Sequence, residues 1–71
     1  MKLTDVEDGK EITIAGIEGG RFARKKLMDL GIIPGVKVTV IKRAGVNPML
    51  LSVMGRQIVI GRGMAEKVIV H

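Results

Sequence analysis

Cysteine, tryptophan and tyrosine are missing from this chain, which carries one phenylalanine, Phe22, and one histidine, the final residue His71. Without cysteine there is no disulfide to staple a small fold and no thiolate to hold a metal. The same absence fits a reducing compartment. One terminal imidazole and seven scattered carboxylates leave nothing at metal-ligand spacing. Asp5, Glu7 and Asp8 cluster but read as a solvated loop. Ser52 is the only serine, and no base can be assigned to it. The stretches Gly16–Gly20 and Gly61–Gly63 are glycine-rich yet lack the lysine-bearing phosphate-cradling pattern. The sequence therefore predicts no catalytic residue, no cofactor and no metal site, and the chain reads as something other than an enzyme. No apolar run approaches the ~18 residues that would cross a bilayer. The polar, acidic start MKLTDVEDGKE is unlike a secretory leader, so a cytoplasmic location is expected.

What is present is aliphatic. In 71 residues, enough for a single domain over residues 1–71, 46% are apolar, nearly all Ile, Val, Leu, Met and Ala. β-branched composition favours strands. Glu11–Ile17 alternates with period two, placing Ile12 and Ile14 inward. After Gly19-Gly20 the period changes: Ala23, Leu27 and Leu30 form one helical stripe, with Gly31 placed to end the helix. Phe22 lies beside this stripe and is expected in the core. Pro34-Gly35 signals a turn into Val36–Arg43, which alternates again. Ala44–Pro48 reads as a loop and Met49–Met54 as a strand covered on both faces. Gly55-Arg56 would make a tight connection to Gln57–Ile60. Gly61–Glu66 has room for a helical turn, and Lys67–Val70 for a last strand. The fold expected is mainly β: a small SH3-like β-barrel of about five strands with one inserted α-helix, since closure hides strand edges. A five-stranded OB-type barrel is the competing architecture.

Charge is unevenly placed. Of twelve Lys and Arg residues, Arg21, Arg24, Lys25 and Lys26 fall within one helical turn and a half, and the other eight nearly balance the seven acids. Such a cluster steers an acidic partner, so Arg21, Arg24 and Lys25, with Met28 beside them, are candidate partner-binding residues. Met49, Leu50, Leu51, Met54 and Val59 lie on strands that cannot all face one small core. Met49, Leu50 and Met54 are accordingly candidates for an apolar contact patch. A basic nucleic-acid-binding barrel is the alternative reading, but single-strand binders stack bases on aromatic side chains and this chain has one. Self-association into a homo-oligomer is a third.

One segment is more specific than any of these patterns. Leu27-x-x-Leu30-Gly31-Ile32-x-Pro34-Gly35, leading into Val36-Lys37-Val38-Thr39-Val40, follows a first strand ending Ile14-Ala15-Gly16-Ile17. It precedes Gly55–Ile60, Met64-Ala65 and Ile69-Val70. In this order the elements resemble the FeoA family of bacterial ferrous iron transport proteins over residues 3–70. The chain departs from the family at Gly61-Arg62-Gly63, where members often carry a leucine before the arginine. The resemblance implies an SH3-like barrel and a cytoplasmic, non-enzymatic accessory or regulator of iron homeostasis. It also implies a partner, the membrane transporter FeoB with its cytosolic GTP-binding domain, which would recruit the protein to the inner face of the membrane. Transition metal binding attaches to the family as a label, without a site in these residues.

Overall fold

The computed structural model describes every residue except Ala44, Val46 and Asn47, so the expected loop Ala44–Pro48 lies largely outside the described residues. Five strands run as β1 (Glu11–Ile17), β2 (Lys37–Lys42), β3 (Met49–Val53), β4 (Arg56–Ile60) and β5 (Val68–Val70). Helix α1 (Arg21–Asp29) joins β1 to β2, and the single turn α2 (Arg62–Ala65) joins β4 to β5. A short 3-10 turn, Leu3–Asp5, precedes them all.

All pairings are antiparallel, in the order β4-β3-β2-β1-β5. Strand β1 serves two neighbours by bending. Glu11, Ile12 and Thr13 pair with β2, whereas Ile14, Gly16 and Ile17 pair with β5. The register slips between Ile14 and Gly16, leaving Ala15 as a bulge residue, the usual device for turning a strand from one sheet to the next. Beyond β5 the chain start supplies another partner: Lys2 bridges to Ile69, and the Val70 amide donates to the Met1 carbonyl at 2.8 Å. At the other end of the order, β4 is an edge strand.

The alternating strands place Ile14, Val38, Val40, Met49, Leu51, Val53 and Ile60 in one core. Leu3 and Val6 from the chain start, Leu27 and Ile32 around α1, and Ala65 from α2 close over it. Strand β3 is not covered on both faces as expected. Met49, Leu51 and Val53 are buried, while Leu50 and Ser52 on the other face are half-buried. The β3–β4 connection also differs by one residue. Val53 pairs with Arg56, so the two-residue turn is Met54-Gly55, with positive φ at both (49° and 79°). That is the pattern of a type I′ hairpin, whose twist matches the strands it joins. The expected connection, Gly55-Arg56, is displaced because Met54 takes up a positive φ that methionine ordinarily avoids.

Candidate functional site

Helix α1 has a construction that helix stability does not explain. Its N-cap is Gly20, which has no side chain to accept from the orphan amides, and its first turn has no acidic residue. Arg21 and Arg24 stand there instead, beside the positive end of the helix dipole, while Asp29 sits at the negative end. Each such placement costs about 0.3–1 kcal/mol in an exposed helix. Ala23 and Leu27 face the core, so Arg21, Arg24, Lys25 and Met28 are left on the exposed arc. Lys25 reaches Asp29 at 3.2 Å, one helical turn on. Among the described residues, Arg21, Arg24 and Lys26 have no carboxylate partner within ion-pair distance.

Phe22 is not in the core. It is 79% exposed, on the flank of α1, and the Lys26 ammonium lies 6.0 Å from its ring centroid. From there a surface groove of about 330 Å³ runs along the helix between Phe22, Lys26 and Leu30, with Lys25 and Asp29 on its outer lip. A second, smaller hollow of about 100 Å³ shares Lys26 and Leu30 and crosses to Val59 of β4 and Met64 of α2. Val59 is 61% exposed and stands opposite Leu50 in the β3–β4 register. The two hollows meet at Lys26 and Leu30, so the flank of the basic helix and Val59 of the hairpin border adjoining surface; Leu50 lines neither hollow.

The other candidates divide. Met49 is fully buried and belongs to the core rather than to any contact patch, as does Leu51. The sequence signal was available: Met49, Leu51 and Val53 share one strand parity. Leu50 is half-buried on the outer face. Met54 is 65% exposed at the hairpin tip, and its Cε lies near Gly31, whose amide donates to the Met28 carbonyl at 2.9 Å. Met28 and Met54 thus approach the same end of α1. Among the described residues, no three His, Cys, Asp or Glu side chains are grouped to hold a metal ion, and no helix is long and apolar enough to cross a membrane.

The model of the FeoA domain matches residues 1–71. The chain belongs to the FeoA family. A Methanocaldococcus jannaschii protein named for Fe(2+) transport, as protein A, is 35% identical over 97% of this chain and 83% of its own length. The crystal structure of an iron uptake regulatory protein, FeoA, superposes with a TM-score of 0.94 at 32% identity, covering 100% of this chain and 95% of that one. Stenotrophomonas maltophilia FeoA, a prokaryotic SH3 domain protein crystallised with zinc, superposes with a TM-score of 0.85 at 18% identity, covering 100% of this chain and 89% of its own. The fold is the SH3-like FeoA barrel. FeoA proteins serve ferrous iron transport without enzymatic activity of their own. The FeoA signature also gains a physical reading: Gly31 stands in it at φ 94° and Gly35 at φ 92°, two left-handed turns that release the chain from α1 into β2.

Proposed function

We propose that this chain is a non-enzymatic accessory of ferrous iron uptake that acts in the cytoplasm by docking on a FeoB-type transporter, through the transporter's GTP-binding domain. The exposed arc of α1 is the contact, with Arg21, Arg24 and Lys25 steering encounter and Met28 and Met54 supplying apolar contact at the helix end. The carrying observation is the cation placement on α1. Arginines at the positive end of a helix whose N-cap, Gly20, gives no side-chain acceptor work against the helix itself, so their use lies elsewhere. Family membership across the whole chain supplies the iron-transport context. The test is cellular. Deleting the reading frame should lower radiolabelled ferrous iron uptake, the wild-type chain should restore it, and a folded chain with Arg21, Arg24 and Lys25 replaced by Ala should not. Full restoration by that variant would remove α1 from the account.

A further inference from the structure

The exposed arc leaves one flank of α1 unexplained. Phe22 is the only aromatic residue of the chain and contributes nothing to its core, being 79% exposed. Its ring begins a groove that continues past Lys26 and Leu30 and crosses to Val59 and Met64. These are contributions from α1, β4 and α2 to one apolar floor with a polar rim, the composition of a protein contact site rather than of scattered surface hydrophobics. The charged residues of the rim are Lys25, Lys26 and Asp29. Lys25 is engaged by Asp29, while Lys26, whose ammonium lies over the Phe22 face, has no carboxylate partner among the described residues. Arg21, on the exposed arc of α1, lines neither hollow.

We propose that this groove receives an acidic amphipathic segment of the docking partner. Apolar side chains seat against Phe22, Leu30 and Val59, and a flanking carboxylate reaches Lys26. Charge complementarity selects this occupant: the apolar floor calls for an aliphatic or aromatic side chain, and the unpaired Lys26 ammonium calls for an acid beside it. A nucleic-acid strand would use the cations but needs successive stacking faces, and the floor offers one ring followed by aliphatic side chains. The inference rests on the docking reading above and names the partner chemistry that the groove accepts.

The test follows the methyl signals of Leu30, Val59 and Met64 by NMR in the full chain. The probes are the transporter's GTP-binding domain, a synthetic helical peptide with a leucine stripe flanked by glutamates, and oligothymidylate. The expected result is that the first two shift these methyls. Phe22→Ala, at a position too exposed to disturb the core, weakens both by at least ~tenfold. Lys26→Glu weakens the peptide further as salt falls. If the transporter domain binds in an Arg21- and Arg24-dependent way while the groove methyls stay put and Phe22→Ala changes affinity less than twofold, docking stands and the groove proposal is overturned. If the peptide fills the groove but the transporter domain does not bind, the docking reading fails and the groove chemistry holds. Shifts produced by oligothymidylate in preference to the peptide, or by protein concentration alone, overturn the proposal in favour of nucleic acid or a second copy.

Discussion

A Cβ on Gly31, at the end of α1, would lie 3.2 Å from Cγ1 of Val53 on β3. The helix end and the hairpin therefore meet where a Cβ would crowd Val53, at a residue whose φ of 94° already favours glycine. This contact ties the most specific sequence element of the chain to the core.

Gly31→Ala should accordingly lose on two counts, the left-handed backbone and the crowding against Val53. The expected cost is about 2 kcal/mol, with the backbone alone supplying 1–2. In a domain of this size that lowers Tm by roughly 10 °C. Gly35→Ala shares the backbone penalty at φ 92° but meets nothing within 4 Å, so it should cost only about 1 kcal/mol. Thermal unfolding of both variants checks the difference; equal losses would show that the Val53 contact is without consequence.

The cationic first turn of α1 predicts a trade between stability and binding. Arg21→Glu puts an acid beside the exposed amides of the first turn and one turn before Lys25, and should stabilise the fold by about 0.5–1 kcal/mol. The same change should weaken partner binding. Chemical denaturation and a binding titration on one preparation read both effects; a variant that is less stable and binds as before would contradict the account of the helix.

Met54 makes a similar trade at the hairpin tip. It is the one non-glycine residue with positive φ among the described residues, in a turn position that favours Asn or Gly. Met54→Asn should raise stability by about 0.5–1 kcal/mol, since strain held at an exposed position is released. If Met54 contributes to the docking surface, the stabilised variant binds more weakly. Unchanged affinity would remove Met54 from that surface.

The periodic parts of the fold were readable from residues, and the juxtapositions were not. The alternation of Glu11–Ile17 gives β1 with its observed bounds, and the Ala23, Leu27, Leu30 stripe with Gly31 gives α1 and its end, because burial imposes those periods on any sequence. Phe22 was misplaced because a lone aromatic is ordinarily worth burying, although its angular position lies off the stripe. Met49 was misplaced because a nearly continuous apolar strand hides its parity. The hairpin slipped by one residue because Met54 occupies a conformation its side chain disfavours. The adjoining hollows that run from Phe22 past Lys26 and Leu30 to Val59 depend on how α1 settles beside β4, with β2 and β3 between them in the chain. No local pattern encodes that distance.

The most direct test of docking through α1 is a calorimetric titration of the full chain into the GTP-binding domain of its transporter. It is repeated with Arg21, Arg24 and Lys25 replaced by Ala, at ionic strengths of ~0.01 M and ~0.15 M, where the Debye length contracts from ~30 to ~8 Å. The account predicts binding that weakens with salt and a loss of at least ~tenfold in the triple variant at the lower ionic strength. Absence of binding at low salt, or affinity indifferent to the three substitutions, would contradict it.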